Sequence, residues 1–207
     1  MKLFHLDQSA VAEEVSHGEI AIIPCDTIYG IVTSVFFPHS VERLYKIRSR
    51  DFQKPCIVLL AERGDIKEFI SEETERVYAE LFSMIWPGPV SIIVPVVEKK
   101  WNHLHRGKET LAFRVPDDEN LRNFLKRSGP VIAPSANKEG ENTARTIQEA
   151  FVTFGENVPF YVDGGLLSGK SSTLISLSSE GILVLREGVL AVEDIRRITK
   201  NIFPVSL

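Results

Sequence analysis

The chain has 207 residues, 43% hydrophobic and 25% charged, the balance of an ordinary globular protein, which excludes disordered, collagen-like and coiled-coil chains. With 24 basic and 28 acidic residues the net charge is -4, so the whole molecule carries no electrostatic footprint for nucleic acid, and an anion site must be a local basic cluster. Cys25 and Cys56, the only cysteines, have no CxxC partner, which supports two buried thiols in a reducing cytosol and neither a disulfide framework nor a cysteine zinc site.

Taken in chain order, Asp7 is expected to cap a helix running to about His17, stopped by Gly18. Glu19 to Pro24 reads as a short strand leading into the polar and glycine-containing stretch Cys25 to Gly30. A second helix is predicted from Ser40 to about Ser49, with Val41, Leu44, Tyr45 and Ile47 near one face. Pro55 to Ala61 is a buried-type strand. Ser71 to Trp86 has helical spacing at Val77, Leu81, Phe82 and Ile85 before Pro87-Gly88-Pro89 ends it.

Val90 to Val97 and Thr110 to Val115 are further strands, and Glu98 to Glu109 between them, polar and without a clear period, is expected to be an exposed loop. Its His103-Leu104-His105 lacks a third ligand nearby and reads as solvated histidines, with no metal site. Asp117 is expected to open a helix ending near Ser128-Gly129, followed by a strand at Pro130 to Pro134 and the polar stretch Ser135 to Thr143. A helix over about Thr146 to Phe154 precedes strands at Phe160 to Asp163, Thr173 to Leu177 and Ile182 to Arg186, and Val192 to about Lys200 closes the chain as a helix. The mixture predicts one α/β domain over residues 1–207 with a twisted, mixed sheet, the turn at Ser179-Glu180-Gly181 arguing against a purely parallel one.

No apolar run approaches the ~20 residues of a membrane span, and MKLFHLDQSA lacks a signal peptide's apolar core, so a cytoplasmic protein with no membrane association is expected. Residues 164–171 formally match the phosphate-cradling G-x-x-x-x-G-K-[ST] pattern, but the following Ser172 to Leu177 is β-rich where that loop must open into a helix, so it reads as a glycine turn. More informative is the basic cluster Lys46, Arg48, Arg50 and Lys54 at a helix end. Such spacing can converge on one anion such as a phosphate, or can simply complement the helix dipole. Ser135, Asn137, Thr143 and Arg186 lie just beyond or at the ends of strands, where α/β folds tend to build their sites.

Seven blocks taken in order resemble the YrdC family over nearly the whole chain. They are Pro24 to Gly30, the basic run ending in Lys54-Pro55, Trp86 to Pro89, Phe113 to Pro116, Ala133 to Asn137, Ser172-Thr173 and Leu185 to Gly188. The resemblance implies a concave basic cavity and threonylcarbamoyl-AMP synthesis from L-threonine, bicarbonate and ATP with release of pyrophosphate. That product serves threonylcarbamoyl-adenosine modification of transfer RNA through a downstream transferase complex. The resemblance places Thr27, Arg114 and Ser172 near threonine and Arg50, Lys54, Thr110, Ser135, Thr143 and Arg186 near ATP, with Asn137 completing a Ser-x-Asn pair and Mg²⁺ accompanying the nucleotide. The family's Lys-x-Arg falls on Arg48-Ser49-Arg50 without a gap, so Arg48 stands in place of lysine and joins the ATP set; read with two extra residues, the pattern falls on Lys46-Ile47-Arg48. No general base stands out, and the extra C-terminal domain of longer relatives is not expected after Arg186. The alternative is a divergent paralogue that binds double-stranded RNA or nucleotides without catalysis.

Overall fold

A computed structural model describes residues 8–26, 28–167, 169–200 and 202–207. Helix α1 (Gln8–Ser16) buries Val11, Ala12 and Val15 and stops at Gly18, whose φ of +92° suits glycine. Strands β1 (Ala21–Cys25) and β2 (Ile28–Ser34) form an antiparallel hairpin. Helix α2 (Pro38–Ile47) starts on a proline at its first turn and buries Val41, Leu44 and Tyr45. Strand β3 (Ile57–Leu59) is followed by α3 (Glu72–Ile85), where Ser71 Oγ accepts the Thr74 N–H at 3.1 Å and three glutamates in the first turn complement the helix dipole.

After β4 (Val90–Pro95) comes a one-turn 3-10 helix at Lys99–Trp101 and then α4 (Asn102–His105). Strand β5 (Thr110–Arg114) leads to α5 (Glu119–Ser128), whose cap is Asp118, accepting the Leu121 N–H at 2.8 Å. Next are β6 (Val131–Ile132), α6 (Ile147–Phe154) capped by Thr146, and β7 (Phe160–Tyr161). The hairpin β8 (Thr173–Ser178) and β9 (Gly181–Arg186), helix α7 (Val192–Ile198) and β10 (Val205–Ser206) complete the described elements. Among the described residues one mixed sheet runs β10-β9-β8-β4-β5-β3-β6-β2-β1-β7, with β3/β5 and β4/β8 parallel and β4/β5 and β8/β9 antiparallel.

Strand alternation divides the core in two. One face contributes Ile22, Ile31, Val58, Ile92, Phe113 and Ile175 to a large core that also takes the buried faces of α2, α3 and α6. The other contributes Ala21, Ile23, Val32, Leu59 and Val131 to a smaller core under α1 and α5. That second layer stops short of β4, β5 and β8. Ile93, Ala112 and Leu174, which those strands turn to the same side, stay half-buried and floor a cavity.

Several expectations change in detail. The polar stretch Cys25 to Gly30 holds the turn of a hairpin: Cys25 ends β1 and β2 begins at Ile28, where Tyr29 and Ile31 supply alternate buried positions that the polar and glycine residues disguise. The segment expected as an exposed loop at Glu98 to Glu109 folds back instead, burying Trp101, Leu104 and His105, with Trp101 packed on Phe69 at 4.7 Å between ring centroids. Three apolar surfaces spaced along a polar segment give no regular period, yet each is large enough to be drawn into the core. Asp118 and not Asp117 caps α5, α2 opens at Pro38 and not Ser40, and Asp7 lies outside the described residues. Among the described residues of 164–171 there is no helix to face a phosphate, and Ser172 leads directly into β8.

Candidate active site

The cavity holds about 530 Å³. Its basic lining comes from Arg50, Lys108, Arg114 and Arg186; Thr110, Ser135 and Ser172 add hydroxyls, and Cys25 and Cys56 thiols. No aspartate or glutamate is among the described lining residues. Cations around a low-dielectric floor without carboxylates make a site for an anion.

Arg114 closes β5 on the cavity side and is 4% exposed. Its Nη1 donates to both carboxylate oxygens of Asp26, at 2.9 and 3.1 Å. Asp26 reaches it from the turn joining β1 to β2, where its backbone is left-handed at φ +42°. A single nitrogen makes both contacts, and Nε finds no partner among the described residues, so part of the guanidinium's donor capacity is unspent. Arg186, at the end of β9, donates from Nη2 to the Ser172 carbonyl at 2.9 Å; burial and then the nearby Arg114 charge pull its pKa below the usual arginine range. Ser172 Oγ shares a 3.0 Å hydrogen bond with Ser91. Behind this corner Gly188 is packed so closely that a Cβ there would lie 2.0 Å from the Ser171 carbonyl oxygen.

Opposite, the Ser135–Asn137 turn is stitched to β2: Ile31 N–H donates to Pro134 O and Ala136 N–H to Tyr29 O. Arg48, only 2% exposed, does not line the cavity. It donates from Nε to the Asn137 carbonyl at 2.9 Å and from Nη2 to Asn137 Oδ1 at 3.2 Å and Ser135 Oγ at 3.3 Å. Burial and the charge of Arg50 lower its pKa. Ser135 Oγ in turn donates to Asn137 Oδ1 at 2.5 Å. Arg50 lies past a left-handed turn at Ser49 and donates from Nη2 to Pro55 O at 2.9 Å, keeping its head at the cavity wall.

Of the residues expected near ligands, Arg50, Thr110, Arg114, Ser135, Ser172 and Arg186 thus line one cavity. Asn137 and Arg48 sit behind Ser135. Lys54 lies outside the lining, its Nζ on Glu139 Oε1 at 2.5 Å, and Thr143 also lies outside it, half-buried. Thr27 falls outside the described residues. Sequence reasoning missed three participants. Asp26 stood inside a quoted block without a role, Glu139 looked like any surface acid, and Lys108 was hidden in the supposed loop. Cys25 and Cys56 are buried and not joined in a disulfide, and burial pushes the Cys25 thiol up to about 12. Among the described residues no group of three or more His, Cys, Asp or Glu side chains could hold a metal ion, and no helix is long and apolar enough to cross a membrane.

Several known proteins are similar to this chain in sequence and fold. The chain is 26% identical over 190 residues to the threonylcarbamoyl-AMP synthase of Pyrococcus abyssi, covering 91% of this chain but 56% of that one, so it spans little more than half of that relative. It is 28% identical over 181 residues to the threonylcarbamoyl-AMP synthase of Pseudoalteromonas translucida, covering 84% of this chain and 96% of the relative. The structure of P. abyssi Sua5 complexed with L-threonine superposes with a TM-score of 0.86 at 24% identity, over 98% of this chain and 61% of that one. Escherichia coli YciO superposes at 0.77 and 21% identity, over 91% and 92% of the two chains; at such identities both likenesses establish the fold. A family model named for Sua5, YciO and YrdC, and described as telomere recombination, matches residues 13–188, and the chain therefore belongs to the Sua5/YciO/YrdC family.

Proposed function

We propose that this protein is a threonylcarbamoyl-AMP synthase, joining L-threonine, bicarbonate and ATP and releasing pyrophosphate, in the cytoplasm. The observation that carries the proposal is the single cavity in which an Asp26-bound Arg114 and three further cations surround Ser135, Thr110 and Ser172, on a chain whose relatives bear that name. Arg114, with donors to spare, holds the threonine carboxylate, and Ser172 lines the pocket for the amino-acid side chain, to which the family resemblance also assigns Thr27. Arg50, Thr110, Ser135 and Arg186 bind the nucleotide. Arg48 and Asn137 set the position of Ser135, while Lys54 and Thr143 join only if their segments move toward the nucleotide. Mg²⁺ enters with the triphosphate as part of the substrate, since the described lining offers it no carboxylate.

The chemistry asks for positioning more than for covalent help. The threonine nitrogen forms a bond to the carbon of bicarbonate-derived carbon dioxide and loses a proton to give a carbamate. A carbamate oxygen then bonds to the α-phosphorus as the bond to the pyrophosphate oxygen breaks. Fixed cations at the two anions bring nucleophile and phosphorus together and offset charge on the departing pyrophosphate. The product then passes to a transferase complex acting on transfer RNA. The double-stranded RNA reading fits less well, because the cations converge on one cavity and do not spread along a surface a helix could lie on.

The test is substrate discrimination in pyrophosphate release. A pocket that hydrogen-bonds the threonine hydroxyl rejects valine strongly, whereas serine, lacking one methyl, is disfavoured by only about 1 to 3 kcal/mol. Turnover with valine equal to that with threonine contradicts the assignment.

A further inference from the structure

The Lys108 side chain lines the cavity and makes no hydrogen bond or ion pair among the described residues. That side chain is exposed, and no aspartate or glutamate among the described residues pairs with it. The backbone that delivers it is strained. Arg106, Gly107 and Glu109 all have left-handed φ, at +54°, +78° and +55°, and two of the three are not glycine. Such a backbone persists only where its surroundings over-determine it.

Those surroundings are present. Arg106 is ion-paired to Glu42 and lies over the Tyr45 ring at 4.2 Å, so its side chain is pinned on α2. The Lys108 N–H donates to His105 O at 2.9 Å, the Gly107 N–H to the buried His105 Nδ1 at 3.2 Å, and the Val96 N–H to Glu109 O at 2.8 Å. A tight turn fixed at both ends therefore projects one lysine at the outer end of the row Lys108, Thr110, Ala112 and Arg114, all facing the cavity. At roughly 3.3 Å per residue, Lys108 lies far from the Arg114 end, where the amino acid is placed.

We propose that Lys108 is a further anion-binding residue of this cavity, contacting a phosphate group of the nucleotide at the end away from Arg114; this rests on the ATP-using reading above. A lysine is a mobile point charge suited to a phosphate oxygen, and an exposed one pays little desolvation until the ligand arrives.

The experiment measures the equilibrium affinity of ATP, inorganic pyrophosphate and adenosine by calorimetry for the wild type, Lys108→Ala, Lys108→Arg and, as a control for net charge, Lys126→Ala on α5. The expected result is an ATP and pyrophosphate Kd raised about tenfold or more by Lys108→Ala, largely restored by Lys108→Arg, unchanged by Lys126→Ala, with adenosine unaffected. Lys108→Ala binding ATP and pyrophosphate like the wild type, or weakened no more than Lys126→Ala, overturns the role of Lys108 while leaving the proposed function intact. A wild type that binds neither ATP nor pyrophosphate overturns both.

Discussion

Asp26 and Arg114, 88 residues apart in sequence, meet through one guanidinium nitrogen, Nη1, which lies 2.9 and 3.1 Å from the two carboxylate oxygens. The pair joins the β1–β2 turn to the end of β5 and fixes the direction in which the rest of the guanidinium faces the cavity. With the side chains only 5% and 16% exposed, breaking the pair from one side leaves an uncompensated charge. Arg114→Ala is therefore expected to abolish threonine-dependent pyrophosphate release while weakening ATP binding far less. Asp26→Ala is expected to destabilise the fold by about 3 to 5 kcal/mol in urea unfolding. Asp26→Asn, which keeps an acceptor, should fold and show a raised KM for threonine with ATP affinity unchanged. An Arg114→Ala variant with full activity contradicts this account.

Arg48 is expected to act on Ser135 and Asn137 and not on the nucleotide itself. Arg48→Ala removes three charged hydrogen bonds, two of them to the buried Asn137, each costing about 1.5 to 3 kcal/mol, so it should lower stability far more than Arg50→Ala. Arg50→Ala should leave the unfolding midpoint nearly unchanged and weaken ATP binding. If Lys46→Ala proves much worse than Arg48→Ala for ATP binding, the ungapped placement of the Lys-x-Arg pattern is wrong.

These two residues also show what the sequence discloses. Arg48 and Ser135 stand in separate motifs 87 residues apart, and each motif is visible, but only the fold reveals that they touch. Arg50 was visible in the sequence as part of a basic cluster at a helix end and Arg186 as a cation at a strand end, whereas Arg114 was singled out only by the family resemblance of its motif. Asp26 was not, because its partner comes from β5. Strand β2 was hidden by the polar and glycine residues at its start, where Gly30 is required for a different reason: a Cβ there would lie 2.6 Å from Cys25 Sγ. Lys108 was missed with its whole segment, since Trp101, Leu104 and His105 bury themselves without any regular period.

Glu139 ties the Lys54 loop to the Ser135–Asn137 turn, accepting the Asp51 N–H as well as Lys54 Nζ. The Lys54 hydrogen bond, then that of Asp51, holds its carboxyl below the usual range. A depressed carboxylate pKa stabilises the contact above the unfolded value of about 4.3, and the effect is lost as pH falls through the lower folded value. The contact should accordingly survive at pH 5 and open only in stronger acid, as followed by the NMR shift of the Asp51 amide. Glu139→Gln should release Lys54 and tighten ATP binding, whereas unchanged affinity would return Lys54 to a surface role.

Burial keeps the Cys25 thiol protonated, with a pKa pushed up to about 12. At pH 8 it should resist iodoacetamide in the folded protein and react once urea unfolds it. Because the folded value is the higher one, stability should decline as pH rises above the unfolded thiol value of about 8.5. Rapid alkylation of native Cys25 at pH 8 would contradict its burial.

Gly188→Ala drives a Cβ into the Ser171 carbonyl and the Ser172 carbonyl carbon, 2.0 and 2.5 Å away, so the backbone below the cavity must shift. Overpacking of this kind costs about 1 to 3 kcal/mol, and the shift should displace Ser172 and the Arg186 head bonded to it. A lower Tm together with weakened threonine binding is expected; an unchanged Tm would show that the backbone yields freely there.

The central claim is that one cavity joins an amino acid to a nucleotide through a carbamate. Incubating the pure protein with ATP, L-threonine, Mg²⁺ and ¹³C-bicarbonate, and analysing the products by mass spectrometry, tests it most directly. The account predicts a threonine-dependent adenylate that carries the bicarbonate carbon, formed together with pyrophosphate and lost in Arg114→Ala. ATP bound but never converted, with no labelled adenylate from the wild type, would contradict it.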